Sequence, residues 1–311
     1  MHDRPAADQI VDYVAVANII GDDLILPDGQ RHNAILGGAG TYAAAGMRIW
    51  SERVGIVSGV GEDFEQLYGA WFYQNQIDTQ GLQRRGANTP RSWVNYQSAD
   101  ERTETPQFGP DHFKIMEPFI HDLPATYYHA QGLYLFRDTN PNYWSEVFDL
   151  QAKYHPIIIW EIHAGAVTAE AWEHVAAILS RIDLFSLNLS EAKQLCQLTE
   201  PAQIVEKLLG TGVKAVALRS GAQGTVVGDA SGMWHIPVIS VDAVDVTGAG
   251  NAFTGGFLVG YCCSGSNIIT AGQYGTVSAS FMLQQFGPPQ AINSITQPET
   301  RIKTLSPIRI A

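Results

Sequence analysis

The chain has 311 residues, of which 45% are hydrophobic and 16% are charged, and it carries a formal net charge of −12 at pH 7. A chain of this length and apolar content can form one large α/β domain or two smaller ones. The acidic balance argues against a nucleic-acid partner, because backbone phosphates require clustered Lys and Arg. A nucleotide remains compatible with this charge, since one local anion site can exist on an acidic protein.

The sequence has no pattern of a membrane or export segment. Residues 1–9 are polar, and no run reaches the roughly 18 apolar residues that a membrane span needs. The three cysteines, Cys196, Cys262 and Cys263, have neither disulfide nor metal-ligand spacing. We therefore expect a cytoplasmic protein with reduced core thiols and no membrane partner.

Apolar runs rich in β-branched residues alternate with helical patterns along the chain. Such alternation is typical of an α/β fold with a largely parallel sheet. Strands are predicted at 10–17, 53–60, 127–135, 156–162, 182–188 and 215–219, and helices at 65–75, 141–154 and 270–284.

Two segments of the N-terminal third have a different pattern. The first carries the hairpin turn signal Asp-Gly at 28–29 and leads to a glycine pair at 37–38 that opens a helix. The second alternates over 89–96 and predicts a hairpin on an exposed sheet. Arg91 and Trp93 are two residues apart, so they share one face of this strand. That face can bind a sugar ring and an anion, or it is simply an arginine stacked on a surface strand.

Polar residues stand at the predicted carboxyl ends of three later strands, where an open α/β sheet binds its ligands. Glu161 and His163 end one strand, Asn188 and Glu191 follow the next, and Arg219 ends the third. Glu161 or His163 can reach a reacting phosphate, although on pattern alone we favour a strand-end pair bonded to a neighbouring loop. Asn188 and Glu191 by themselves also match the N-cap and acidic first turn of a helix.

The stretch 244–257 joins turn residues to an apolar helix of small residues, with the change of pattern at Thr247 or Gly248. Gly248, Ala249 and Gly250 then form a tight loop whose backbone can approach a ligand closely. The free N–H groups and aligned dipoles of the first helical turn favour an anion such as phosphate. The alternative is a plain strand–helix connection whose small residues pack tightly in a core.

The segment Asp245 to Phe253 resembles Asp-x-Thr-Gly-Ala-Gly-Asp-Ala-Phe, the C-terminal signature of the ribokinase/PfkB-type carbohydrate kinases. Residues 188–191 resemble the family's Asn-x-x-Glu motif, and the glycine pair at 37–38 resembles its Gly-Gly motif. The resemblance covers nearly the whole chain. It implies one ribokinase-like α/β domain over 1–311, with an open, mostly parallel sheet, helices on both faces, and a small β-sheet lid from about 18–36 and 87–108.

The resemblance also implies the reaction, which is transfer of the γ-phosphoryl group of ATP to a hydroxyl of a sugar or sugar-like molecule. Mg²⁺ is the implied metal, and Glu191 would hold its water shell. A monovalent cation near Asp245 is a further expectation. We also consider a homodimer formed through the lid, where the exposed face of Trp93 would meet a second copy.

By the same resemblance, the site residues fall into three groups. The catalytic group comprises Gly248, Ala249, Gly250 and Asn251. The cofactor group comprises Asn188, Glu191, Arg219, Gly221, Gly224, Asp245 and Gly287. The substrate group comprises Asp22, Gly37, Gly38, Tyr42, Arg91 and Asn251, with Tyr42 where the family usually has an asparagine.

Asn251 stands where the family has its catalytic aspartate. An amide oxygen accepts a hydrogen bond but does not take up a proton at pH 7, and loss of a positioned base typically lowers the rate by roughly 10²–10⁴. Three interpretations stay open. The chain is a divergent kinase, a kinase-like binding or regulatory protein that keeps its ligand sites, or a protein whose natural aspartate has been replaced.

Overall fold

The computed structural model describes residues 11–97 and 102–311. The polar N-terminus and the polar turn predicted after Tyr96 lie outside these ranges, apart from the edges of the turn. Across the described ranges, no helix is both long and apolar enough to cross a bilayer.

The strands form where the sequence has short apolar runs. In Tyr13–Val16 and Val54–Val60 every residue is buried, as expected for strands covered on both faces. The strands of the described residues are β1 (Tyr13–Val16), β2 (Ile20–Ile25), β3 (Arg31–Gly37), β4 (Val54–Val60), β5 (Ile77–Arg84), β6 (Arg91–Tyr96), β7 (Arg102–Pro106), β8 (Gly132–Arg137), β9 (Ile157–Ile162), β10 (Leu184–Asn188), β11 (Ala215–Arg219), β12 (Thr225–Asp229), β13 (Gly232–Ile236) and β14 (Ile308–Arg309).

The strands make two sheets. The larger has the order β14-β13-β12-β11-β10-β9-β8-β1-β4-β5, and its seven strands from β11 to β5 run parallel. Strands β12, β13 and β14 continue it as an antiparallel edge. The smaller sheet has the order β3-β2-β6-β7 and forms the lid, with β2 and β6 parallel to each other. The predicted fold class, an open and mostly parallel sheet with a small second sheet, is confirmed.

The helices alternate with the strands. The α-helices of the described residues are α1 (Ala39–Arg48), α2 (Ala70–Gln74), α3 (Pro110–Met116), α4 (Pro141–Tyr154), α5 (Trp172–Leu179), α6 (Leu189–Cys196), α7 (Pro201–Leu209), α8 (Ala249–Cys263), α9 (Ile268–Met282) and α10 (Glu299–Ile302).

Helices cover both faces of the large sheet, because alternate side chains of each strand point to opposite faces. Tyr13 and Ala15 of β1 join a core with α1, α8 and α9, while Val14 and Val16 join a second core with α4, α5, α6 and α7. The carboxyl ends of β1, β8, β9, β10 and β11 therefore meet at one edge of the sheet. Helices α1 and α8 begin at this edge.

Two local predictions were wrong in detail. The helix predicted at 65–75 begins with a π-helical turn, Glu65–Gly69, before α2. Asp63 was expected to cap that helix, but its carboxylate accepts hydrogen bonds from Thr89 and pairs with Arg91 instead. These partners come from the lid hairpin, which local sequence pattern does not place beside Asp63.

The expectation that all three cysteines are core thiols was correct for Cys196 and wrong for Cys263. Cys196 is buried, Cys262 is half-buried and Cys263 is exposed, because α8 reaches the surface at its last turn.

Helices α1 and α8 pack with their backbones almost in contact. A Cβ added at Gly46 of α1 would overlap the backbone of Ala252, and one added at Gly255 of α8 would overlap the backbone of Ala43. This contact fixes the N-terminus of α8 against the N-terminal half of the chain.

We expect Gly46→Ala to destabilise the protein by roughly 1–3 kcal/mol, because a backbone neighbour cannot rotate away from the added methyl group. Gly210→Ala is the matched control, since this glycine is exposed, has right-handed helical φ and ψ, and caps α7 away from that contact. Urea unfolding of both variants measures the difference. Equal stability of Gly46→Ala and wild type would contradict the packing argument.

Candidate active site

The N-terminus of α8 is open. Gly248 precedes the helix with a left-handed φ of +75°, which is why a glycine is needed there. No side chain of the described residues caps this helix, and its first turn carries no acidic residue. Ala249 N donates to the Val246 carbonyl at 3.4 Å, and the remaining donors of the first turn lie at the positive end of the helix dipole. Anion binding by the Gly248-Ala249-Gly250 motif stays a prediction.

Tyr42 of α1 shapes this loop. It is 3% exposed, and its ring occupies the space that a side chain at position 248 would need. The ring packs on the Cα of Gly248 and makes no cap for the helix. The resemblance leads one to expect a substrate-binding asparagine at position 42. This chain has Tyr42 there, and its ring supports the loop before α8.

Arg219 lies beside the same helix end. Its Nη1 occupies the space that a side chain at Gly250 would need, and its Nη2 donates to Oε1 of Glu161 at 2.6 Å. Its side chain is only 13% exposed. A guanidinium next to the positive end of a helix is favourable when an anion binds between them.

Asn251 is part of a buried hydrogen-bonded chain that ends at this ion pair. Its Nδ2 donates to the hydroxyl of Tyr134 at 3.1 Å, and that hydroxyl donates to Oε2 of Glu161 at 3.0 Å. Tyr134 and Glu161 are almost fully buried. Burial also raises the pKa of Tyr134 well above its ordinary range, so the hydroxyl keeps its proton.

The direction of this chain of hydrogen bonds fixes the amide of Asn251. A carboxylate only accepts, so the one proton of the Tyr134 hydroxyl goes to Glu161. The hydroxyl must then accept from Asn251, which turns Nδ2 towards Tyr134 and leaves Oδ1 as the remaining acceptor. We call the group Arg219, Glu161, Tyr134 and Asn251 the amide-orienting chain.

Tyr134 was missed by sequence reasoning. It lies inside an apolar strand, where a tyrosine is ordinary core. Its partner Glu161 was named, and through Arg219 it does lie beside the start of α8. His163, named with it, accepts a hydrogen bond from the Gly165 backbone and is exposed at the end of β9, as in the strand-end alternative.

Asn188 and Glu191 form a reciprocal capping box at the start of α6. Asn188 Oδ1 accepts from the Glu191 backbone at 2.8 Å, and Glu191 Oε2 accepts from the Asn188 backbone at 3.0 Å. Burial raises the pKa of Glu191, and the Asn188 hydrogen bond and the Arg219 guanidinium oppose that shift. Glu191 therefore has a structural role and also lies within the electric field of Arg219.

Asp245 connects the loop before α8 to the lid. Its Oδ1 accepts from the backbone and hydroxyl of Thr247 at 3.0 and 2.8 Å, and from the Tyr96 hydroxyl at 2.9 Å. Tyr96 ends β6 of the lid, so the lid is held against the glycine loop that precedes α8. The monovalent cation near Asp245 stays a prediction.

The lid places its candidate residues on two faces. Asp22 is buried on the same face as Ser92 and Val94, and its carboxylate lies over Gly37. Gly38 has φ +92° and packs on the Asn18 carbonyl, so the glycine pair brings the start of α1 under the lid.

Arg91 lies on the opposite face of β6, where it pairs with Asp63 at 2.7 Å. The structure therefore does not bring Arg91 together with the catalytic group. Trp93 shares this outer face and is 45% exposed, and the homodimer through the lid stays a prediction.

Three glycines of the predicted cofactor group have left-handed φ angles. Gly221 and Gly224 form the tight turn after β11, closed by a hydrogen bond from Ser220 N to the Gly224 carbonyl. Gly287 packs under Ile35 and Leu36 of the lid strand β3. Only the first two lie next to Arg219 in the chain.

The described residues contain no cluster of three or more His, Cys, Asp or Glu side chains that could hold a metal ion. The oxygen donors near α8 are single carboxylates, which suit a hard ion held mainly by phosphates and water.

Comparisons with known proteins show the family of the chain. Residues 7–294 match the family described as pfkB family carbohydrate kinase. The chain belongs to the pfkB family of carbohydrate kinases.

Two relatives of the chain match it over most of their length. An uncharacterized protein of Schizosaccharomyces pombe is 27% identical, and the match covers 92% of this chain and 88% of the relative. The cytidine kinase of Thermococcus kodakarensis is 24% identical, and the match covers 81% of this chain and 89% of the relative.

Solved structures show the same fold at low identity. A probable sugar kinase of Rhizobium etli has a TM-score of 0.76 at 18% identity, covering 94% of this chain and 99% of its own. The adenosine kinase of Sinorhizobium meliloti has a TM-score of 0.75 at 17% identity, covering 95% and 99%. An E. coli structure assigned as Ribokinase II, with a TM-score of 0.73 at 17% identity over 94% and 99%, is in complex with ATP and Mg²⁺.

We expect the double variant Arg219→Met/Glu161→Gln to bind ADP about 10–100-fold more weakly than wild type, because a charge-assisted hydrogen bond contributes about 1.5–3 kcal/mol. Both partners are changed so that no buried carboxylate is left unpaired. Isothermal titration calorimetry with ADP gives the dissociation constants.

The control is Arg53→Met/Asp12→Asn, which removes an ion pair at the amino end of the strands. Its ADP affinity should equal that of wild type. Unchanged ADP binding by the Arg219 double variant would remove Arg219 from the nucleotide site.

Proposed function

We propose that this protein transfers the γ-phosphoryl group of ATP to a hydroxyl of a sugar-like small molecule. The observation that carries the proposal is the open N-terminus of α8, which carries Asn251 in its first turn and has Arg219 beside Gly250. Backbone donors, a helix dipole and a guanidinium lie together there, and these are the groups that stabilise a transferring phosphoryl group.

The balance of the reaction is simple. A bond forms between the acceptor oxygen and the γ-phosphorus, and the bond from that phosphorus to the β,γ-bridging oxygen breaks. ADP leaves with the electron pair, and the hydroxyl proton passes to the transferred phosphoryl group before it reaches water. Phosphoryl transfer of this kind depends on positioning and charge stabilisation more than on a strong base.

In this scheme Asn251 positions the acceptor hydroxyl and does not take its proton. With Nδ2 held by Tyr134, its Oδ1 can accept a hydrogen bond from the acceptor hydroxyl and aim the oxygen at the phosphorus. Asn251 would be the catalytic residue, because it touches the reacting hydroxyl. Tyr134 and Glu161 would be positioning residues, because they act through Asn251.

Mg²⁺ would be held by the phosphates of ATP and by water, and it would neutralise charge on those phosphates when bound. Glu191 fits the outer part of such a site, because its Oε2 alone completes the capping box and its Oε1 lies outside that box. The relatives named cytidine kinase and adenosine kinase support a nucleoside as one class of acceptor.

We expect Asn251→Asp to lower turnover, and Asn251→Asp/Glu161→Gln to regain part of the loss. In the single variant two carboxylates would compete for the one proton of Tyr134, and a second negative charge would approach the γ-phosphate. In the double variant the Tyr134 hydroxyl donates its proton to the introduced carboxylate. A glutamine at position 161 can then donate a hydrogen bond to Tyr134, whereas a glutamate can only accept one. The measurement is ATP consumption with ribose, fructose, cytidine and adenosine as acceptors.

The same experiment decides between an enzyme and a binding protein. No turnover by wild type, together with a gain of roughly 10²–10⁴ in Asn251→Asp, would show a kinase-like binding protein or a replaced natural aspartate. Glu161→Gln alone serves as the control for the ion pair.

We expect Glu191→Gln to weaken the Mg²⁺ dependence of ATP binding while the fold stays intact. A glutamine completes the capping box as well as a glutamate does. Because burial raises the pKa of Glu191, its ionised form is unfavourable in the folded state, and its contribution to stability is lost as pH rises through the folded pKa. The variant should therefore unfold no earlier than wild type at pH 7.

The readout is the thermal shift with ATP over a titration of Mg²⁺. Glu173→Gln, in the exposed first turn of α5, is the matched control. If both variants keep the wild-type Mg²⁺ dependence, Glu191 is only a helix cap.

A further inference from the structure

A cavity of about 350 Å³ lies at the carboxyl ends of β1, β8 and β9. Its lining includes Asn18, Phe136, Arg137, Asp138 and His163. Its volume is within the range of small-molecule sites, roughly 300–1,000 Å³. We call it the strand-end cavity.

The strand-end cavity adjoins the proposed reaction site. Phe136 follows Tyr134 by two residues in β8, so both side chains point to the same face, about 7 Å apart along the strand. Phe136 is also the register partner of Glu161. The cavity and the Tyr134 hydroxyl that binds Asn251 are therefore on the same face of β8.

Asn18 joins the cavity to the glycine pair under the lid. Its carbonyl accepts from Gly40 N at 2.9 Å and lies against Gly38. Asn18 therefore contacts both the strand-end cavity and the sugar site that Gly37 and Gly38 imply.

The charges of the cavity do not suit an anionic acceptor. Arg137 is buried, and its guanidinium pairs with Glu117 at 2.6 Å and faces Asp138 at 3.6 Å. One cation thus faces two carboxylates. Arg91, the other cation considered for an acidic acceptor, is paired with Asp63. A sugar acid or sugar phosphate would bring a further negative charge next to these carboxylates.

The remaining groups suit a planar heterocycle. The rings of Phe136 and His163 both line the cavity, with centroids 5.4 Å apart and planes tilted by 58°, so a base can stack on one ring and meet the edge of the other. His163 Nδ1 accepts from Gly165 N at 3.1 Å, so the ring carries its N–H on Nε2 as a donor. Asn18 supplies both a donor and an acceptor, and Asp138 supplies acceptors only.

We propose that the acceptor is a neutral nucleoside with an exocyclic amine, whose ribose lies under the glycine pair and whose base occupies the strand-end cavity. Asp138 accepts from the amine, and His163 and Asn18 bind the ring nitrogens and, in cytosine, the carbonyl. A base that has a carbonyl in place of the amine leaves Asp138 facing another acceptor, which disfavours it. This inference rests on the proposed function and names its acceptor.

The test compares pairs of nucleosides that differ at the exocyclic group. Calorimetry with the full-length protein, in the presence and absence of ADP, measures binding of cytidine against uridine, adenosine against inosine, and ribose and gluconate. We expect cytidine and adenosine to bind at least about tenfold more tightly than their carbonyl partners, and gluconate not to bind. Equal binding within both pairs, or tighter binding of gluconate, overturns the inference.

Asp138→Asn is the matching variant. An asparagine keeps the Asn140 backbone hydrogen bond that Asp138 Oδ1 accepts at 3.1 Å, so folding is preserved. The preference for cytidine over uridine should fall to within about threefold in Asp138→Asn, whereas Asp149→Asn, on the exposed side of α4, should keep the wild-type preference. A wild-type preference in Asp138→Asn overturns the assignment of Asp138.

An activity measurement separates the two proposals. If ATP is consumed with a sugar while no nucleoside binds, the proposed function stands and this inference is wrong. If the expected nucleosides bind but receive no phosphate, the proposed function is wrong, and the binding assignment of the strand-end cavity is supported.

Discussion

The ion pair between Arg219 and Glu161 is the interaction on which the rest of the site depends. Removing two charges from water is costly, and buried ion pairs often contribute little net stability. This pair sits at the end of two parallel strands and against the start of α8, and it holds the amide-orienting chain through Tyr134. Because it lies between the helix end and the Asn251 amide, we propose that it acts in function rather than in folding.

This arrangement gives a physical meaning to the asparagine at the family's aspartate position. In the family, the catalytic carboxylate belongs to the aspartate that stands at the position of Asn251. Here a carboxylate lies two hydrogen bonds away, on Glu161, and its influence reaches Asn251 through one tyrosine hydroxyl. The negative charge therefore lies farther from the helix end, while an acceptor oxygen stays next to it. A family motif with one exchanged residue is best judged together with the contacts of that residue.

The lid contacts the loop before α8, and the edge of the sheet forms the strand-end cavity. Tyr96 holds the lid to the Asp245–Thr247 turn, so the loop that presents α8 and the cover over the glycine pair are connected by one hydroxyl. Arg91 on the lid and Arg137 in the strand-end cavity are each balanced by a carboxylate from another segment. Balanced charges and the rings of Phe136 and His163 favour a neutral ligand, which is the basis for placing a base in the strand-end cavity.

The resemblance to a known family implied the lid. The sequence by itself determined the α/β alternation, the strands β1, β4, β8, β9, β10 and β11, and the glycine loop before α8. These features depend on local apolar periodicity and on glycine, whose effects act over a few residues. Helix α4 and strand β11 were predicted with their observed bounds. Only the tertiary structure decided that Tyr134 supports Asn251, that Asp63 binds Arg91 rather than capping a helix, and that Arg91 lies on the outer lid face. Each of those contacts joins segments at least 28 residues apart in the chain, and a long-range contact leaves no periodic signal in the sequence.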